Sequence, residues 1–101
     1  MTGSACISAL KALGDETRLR MLRLLSKAPL TVGEIVEKLG ITQPNASKHL
    51  RVLREAGLIE SEKQGQQRIY TIPEKLTAEI AANKGTLDLG CCTFRFDQLP
   101  K

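Results

Sequence analysis

The stretch Thr42-Gln-Pro-Asn-Ala-Ser-Lys-His-Leu-Arg-Val-Leu-Arg-Glu-Ala-Gly-Leu-Ile-Glu60 decides the fold. Ala46, Leu50 and Leu53 stand at i, i+4 and i+7, so a helix buries all three on one face. Thr42 can cap the first free amides, and Pro44 lies in the first turn, where a missing N–H does no harm. Gly57 stands where a left-handed residue closes a helix. Ser47, Lys48, Arg51 and the outer edge of Asn45 project away from the apolar stripe. Small polar and cationic groups at the N-terminal end of a helix suit a DNA major groove, where they meet base edges and phosphates. The stretch reads as a recognition helix running into a strand.

Just upstream, Thr31-Val-Gly-Glu34 fits a capping box and predicts a short helix through Leu39. Gly40 and Ile41 then make a tight turn into Thr42, the spacing of a helix-turn-helix. Two earlier helices are expected. The first runs from about Ser4 to Leu13, with Cys6, Ile7, Leu10 and Leu13 on its apolar stripe. The second follows the N-cap Asp15 and runs through Ser26, with Leu19, Leu22 and Leu25 or Met21 facing inward. Downstream, Leu58 to Lys63 and Arg68 to Ile72 read as strands around the loop Gln64-Gly-Gln-Gln67. Pro73 opens a last helix to about Asn83, with Leu76 and Ile80 on one face.

The expected fold is therefore mainly α with a β-hairpin: a winged helix-turn-helix of about five helices plus a two-stranded wing. Residues 1–83 form the expected DNA-binding and dimerisation domain. Residues 84–101 form a tail with Cys91 and Cys92. It also carries Leu87, Leu89, Phe94 and Phe96, the last two being both phenylalanines of the chain. Such a tail is expected to pack on the domain or on a dimer partner.

With 101 residues the chain holds one domain. A chain of this size buries roughly 60–70% of its unfolded surface, so a second copy would add stability. The net charge of +4 favours an anionic partner. Five basic and two acidic residues lie between Met1 and Leu30, and five and three between Thr42 and Ile72, whereas the last twenty-nine balance. The excess sits in the first half and around the recognition element, not in a tail. No run approaches the roughly eighteen apolar residues that span a bilayer, and the N-terminus lacks a signal-peptide pattern. A cytoplasmic protein with reduced thiols and no membrane partner is expected. Three cysteines cannot close a disulfide framework within one chain, which leaves reactivity, ligation or packing.

Leu10-Lys-Ala-Leu-Gly-Asp-Glu-Thr-Arg-Leu-Arg-Met-Leu22 resembles the opening signature of the ArsR/SmtB family of bacterial metal- and thiol-responsive repressors. Ser47-Lys-His-Leu-Arg-Val-Leu-Arg-Glu-Ala-Gly-Leu-Ile59 resembles its recognition helix, and the wing ending in Arg68-Ile-Tyr70 is similar too. The likeness spans about residues 7 to 82. It implies a homodimer held by the first and last helices, bound to a palindromic operator on double-stranded DNA. An inducer and the operator would then favour different dimer geometries, each weakening the other.

The DNA-contact candidates are Gln43, Asn45, Ser47, Lys48 and Arg51, with Gln66 and Arg68 from the wing. Gln and Asn pair with adenine and Arg with guanine, while Lys or a wing Arg meets phosphate. His49 lies beside the apolar stripe, and two readings stay open for it: a packed support of the helix, or a phosphate contact. Arg18 is expected to be structural, paired with a carboxylate.

Two sensor sites of the resembled family are missing. The helix before the recognition helix has no Cys, and the single His excludes a His-based metal site on the last helix. Cys91, Cys92 and Cys6 remain. Adjacent C-terminal cysteines resemble the arsenic-binding pairs of some family members, and soft thiolates select As(III), Sb(III), Cu(I) or Hg(II). As(III) takes three sulfurs, so Cys6 from either subunit is the candidate third ligand. No cofactor is required for folding. Three other readings stand beside this one. The thiols would sense oxidants or reactive sulfur through a Cys6–Cys91 or Cys6–Cys92 link, Cys6 would be a buried apolar residue, or the winged helix would bind protein alone. A thiol enzyme is not expected, because the only His is committed to the recognition helix.

Overall fold

Several helix ends are set by capping residues suited to them. The structure, a computed structural model, describes residues 3–100. Met1, Thr2 and Lys101, at the outer ends of the two expected units, lie outside the described residues. The order is α1 (Gly3–Leu13), α2 (Glu16–Lys27), β1 (Leu30–Thr31), α3 (Val32–Leu39), α4 (Gln43–Glu55), β2 (Glu60–Gln64), β3 (Gln67–Thr71), α5 (Glu74–Ala82), β4 (Thr86–Asp88), β5 (Thr93–Arg95) and a 3₁₀ turn, Phe96–Gln98.

Asp15 caps α2 by accepting from the Arg18 amide at 3.0 Å. Thr31 and Glu34 form the reciprocal capping box of α3, with bonds of 3.2 and 2.9 Å. Gly40 ends α3 at φ 66°, its amide donating to Val36 O at 2.9 Å. Thr42 starts α4 by accepting from the Asn45 amide at 3.3 Å. Gly57 closes that helix at φ 77°. The Gly57 and Leu58 amides then return to the carbonyls of Arg54 and Leu53, both at 3.0 Å, which satisfies carbonyls the helix leaves open.

The core gathers Met21, Leu22 and Leu25 from α2, Ile35 from α3, and Ala46, Leu50 and Leu53 from α4. Leu58 and Ile59 join them, as do Leu87, Leu89 and Leu99 from the C-terminal segment. The segment after α5 is a second small hairpin, with Thr86 opposite Arg95 and Asp88 opposite Thr93.

Two expectations are corrected. On α1, Ile7 is 57% and Leu10 45% exposed, while Ala9 and Ala12 are fully buried with Cys6 and Leu13. Small side chains let α1 lie close to the body, and helical periodicity cannot tell which apolar stripe faces inward. The wing strands are also displaced. Glu60 opens β2 because Leu58 and Ile59 are drawn into the core as the link from α4. β3 begins at Gln67, so only Gly65 and Gln66 remain in the turn. The wing hairpin itself is two-stranded, as expected, and a short third strand joins its sheet. Leu30 pairs with Tyr70 and Thr31 with Ile69, giving the order β1-β3-β2. That short strand ties the start of the helix-turn-helix to the wing.

No side chain of α5 is fully buried; Leu76 and Ile80 are half-covered. Together with Ile7 and Leu10 this leaves apolar surface on the two terminal helices. Among the described residues, no helix is long and apolar enough to cross a membrane.

Candidate nucleic-acid interface and thiol cluster

Periodicity puts Ala46, Leu50 and Leu53 inward, so the other face of α4 must meet solvent. Gln43, Ser47, Lys48 and Arg51 are exposed there and Asn45 is half-exposed. The Gly65-Gln66 turn and the pairing of Lys63 with Arg68 form the tip of the wing. A cleft of about 520 Å³ runs between helix and wing. Gln43 and Ser47 line one side, Gln66 and Arg68 the other. Four of the seven exposed candidates therefore share one concave surface; Asn45, Lys48 and Arg51 are not among its lining residues. The Arg68 guanidinium donates to Ser61 Oγ across the hairpin at 3.1 Å, which orders a cation at the cleft edge. Thr31, whose capping role was legible, also lines this cleft through the pairing of β1 with β3.

His49 differs from the other candidates. It is only 7% exposed, and its Nδ1 lies 3.0 Å from Nη1 of Arg18. Burial lowers its pKa, assisted by the nearby cations Arg18 and Lys48 and opposed by Asp15. Arg18 pairs with the Asp15 carboxylate, as expected, and in addition holds two backbone carbonyls more closely. Its Nε donates to Ala12 O at 2.7 Å and its Nη2 to Lys11 O at 3.0 Å. The Asp15 carboxylate is farther, at 4.0 Å. The carboxylate's pKa is lowered against the opposing effect of burial, by its bond from the Arg18 amide and by the charges of His49 and Arg18.

The cysteines converge from the two ends of the chain. Cys6 lies on the buried stripe of α1, 3% exposed. Cys91 and Cys92 occupy the turn of the second hairpin, where the Leu89 amide donates to Cys92 O at 2.9 Å. Gly90, at φ 89°, and the bond from its amide to the Asp88 carboxylate tighten this turn. Cys6 and Cys91 are joined as a disulfide within one chain, their Cα atoms 6.4 Å apart. Cys92 is free, its sulfur 3.9 Å from that of Cys91. All three sulfurs lie within 4.8 Å of one another. Cys6 of the same chain thus suffices to complete the trio. Three soft donors at this spacing can hold a thiophilic ion when reduced, or exchange between thiol and disulfide when oxidised.

Comparison with known proteins accords with this architecture. The profile "Bacterial regulatory protein, arsR family" matches residues 15–61. A probable mercury resistance operon repressor of Streptomyces lividans is 33% identical, the match covering 82% of this chain and 71% of that protein. HlyU from Vibrio cholerae N16961 has the same fold, with a TM-score of 0.68 and 33% identity over 79% of this chain and 88% of its own. The homodimeric winged helix-turn-helix DNA-binding domain of a possible ArsR-family regulator from Mycobacterium bovis superposes with a TM-score of 0.71 at 28% identity, covering 80% and 76%. The family profile takes in α2, the helix-turn-helix and the start of the wing, and the relatives match over most of the chain, so the chain belongs to the ArsR family: it is a winged-helix DNA-binding transcriptional regulator and not an enzyme.

Proposed function

We propose that the chain is a cytoplasmic homodimeric repressor that reads a palindromic operator and releases it when a thiophilic metalloid or metal ion engages Cys6, Cys91 and Cys92. The observation that carries the inducer reading is the convergence of three sulfurs within 4.8 Å of one another, drawn from residues 85 positions apart. Reduced, the three thiols would take As(III) from arsenous acid by forming three As–S bonds and releasing three waters; Sb(III) has the same demand. The name of the Streptomyces relative, a probable mercury resistance operon repressor, favours the same class of inducer.

On the DNA side, Gln43, Asn45, Ser47, Lys48 and Arg51 would enter the major groove while Gln66 and Arg68 hold the flanking backbone. Exposed Ile7 and Leu10 on α1, with the thinly covered α5, supply an apolar face for a second copy. The test is a gel shift on the promoter of the chain's own operon. The reading expects sequence preference and a steep loss of affinity with salt. Binding that ignores both would instead favour a winged helix that contacts protein alone.

The Cys6–Cys91 disulfide favours a second reading, a redox sensor. There the two thiols give up two protons and two electrons to a peroxide, which leaves as two waters. Counting free thiols before and after peroxide, alongside operator affinity, separates the two: only the redox reading expects release without added metalloid.

A further inference from the structure

Arg18 stands at the junction of three elements. It belongs to α2, yet its guanidinium takes the carbonyls of Lys11 and Ala12 at the end of α1 and Nδ1 of His49 in the middle of α4. Guanidinium has only donors, so the contact requires an unprotonated Nδ1. A neutral imidazole with a bare Nδ1 carries its proton on Nε2. Among the described residues no buried side-chain nitrogen or oxygen lacks a partner, and Nε2 has no protein partner there. Nε2 therefore reaches the surface, as an N–H donor on the helix that carries Ser47, Lys48 and Arg51. Such donors on a DNA-facing helix meet phosphate oxygens and fix its register.

We propose that Arg18 is a positioning residue for DNA binding: by filling Nδ1 of His49 it holds the ring as an Nε2–H donor to a phosphate oxygen, and by holding the last carbonyls of α1 it fastens the recognition helix to the helix that carries Cys6. This rests on α4 being the DNA-reading helix. Two uses follow from one side chain. The imidazole is set in the tautomer that can donate outward, and any displacement of α1 at Cys6 bears on α4 through the same guanidinium. Protonation of His49 would oppose the arrangement, since Arg18 and Lys48 already face the ring with only Asp15 to offset them.

The chain has a single histidine, so its imidazole nitrogens give an unambiguous NMR signature. In the intact reduced protein near neutral pH, ¹⁵N correlation spectra are expected to report a neutral ring protonated at Nε2. Arg18→Lys, which keeps the charge but loses the fork, is expected to mix the tautomers and weaken operator binding roughly five- to tenfold. His49→Gln retains an outward N–H and is expected to stay close to wild type, whereas His49→Phe falls as Arg18→Lys does. Because the donor is neutral, neither His49 variant changes the salt slope of binding; loss of a cationic phosphate contact would lower it by about one. A ring protonated at Nδ1, wild-type affinity in His49→Phe, or a reduced salt slope in that variant overturns the role given to Arg18. Absence of operator binding by the wild-type protein is a different failure, that of α4 as the reading helix. The wild-type spectrum and the His49 variants decide the matter even where Arg18→Lys does not fold.

Discussion

Residues 31–57 and residues 84–100 are both compact, glycine-punctuated segments, but they are held together over different distances. In the helix-turn-helix, every bond that sets a boundary spans at most five residues: Thr31 with Glu34, Gly40 with Val36, Thr42 with Asn45, Leu58 with Leu53. The C-terminal hairpin has its own local bonds, but it is also tied to the rest of the chain by contacts from far away. Leu87, Leu89 and Leu99 enter the common core, Arg23 donates to Leu99 O at 3.2 Å across 76 positions, and Cys91 meets Cys6 across 85. The DNA-reading part is thus specified locally, whereas the thiol part exists only when both ends of the chain are folded together. A ligand or disulfide there acts on α1 and the core at once, which is what the proposed coupling of the thiol site to DNA release requires.

That contrast is most open to breakage in the core. Leu53→Ala beneath the recognition helix and Leu87→Ala beneath the hairpin both remove nearly inaccessible side chains. Each is expected to cost about 2–5 kcal/mol in denaturant unfolding. A cost for Leu87→Ala well below about 1 kcal/mol would make the tail a peripheral attachment. Next in size is the link between the ends. Opening the Cys6–Cys91 disulfide, which spans 85 positions, is expected to lower stability by about 2–4 kcal/mol. Unfolding curves with and without reductant measure this, and Cys92→Ser should leave the difference intact.

A smaller effect tests the local specification of the reading part. Gly57 holds φ 77° where a Cβ meets nothing nearby, so Gly57→Ala isolates backbone strain from crowding. The expected loss is about 1–2 kcal/mol, seen in thermal unfolding. Least in size is a pH effect at the Arg18 junction. Burial, with the cations Arg18 and Lys48, holds the His49 pKa below its ordinary value. The unfolded chain therefore takes up its proton first, near pH 6.5, and stability falls as pH drops through that value toward the lower folded one. Asp15, also lowered, adds a loss of the same sign at more acid pH. Unfolding free energies of wild type and His49→Gln, compared from pH about 7.5 to 5, should converge on the acid side.

How much was legible in the sequence follows the same division. Thr31, Glu34, Gly40, Thr42 and Gly57 set their boundaries by nearest-neighbour chemistry, so α3, the turn and α4 could be read almost residue by residue. The displaced wing strands came from tertiary competition: Leu58 and Ile59 have strand-forming side chains, yet the core takes them first. β1 is two residues long and exists only because β3 accepts it, which no local pattern announces. On α1 two apolar stripes were available, and small Ala9 and Ala12 won the inner one. The three-residue strands of the tail were too short to alternate visibly. Its leucines and phenylalanines did mark it as something other than a solvated extension. The Arg18–His49 contact joins positions 31 apart and leaves no spacing to read.

The most direct test is a titration of operator DNA, held by the reduced protein, with arsenite while anisotropy reports binding. Release is expected as metalloid reaches about one equivalent per subunit, with Cys6→Ser, Cys91→Ser and Cys92→Ser each keeping DNA bound well beyond that point. DNA that stays bound in the wild type at excess arsenite, antimonite and mercuric ion, or release that persists in a variant lacking all three thiols, would contradict the account.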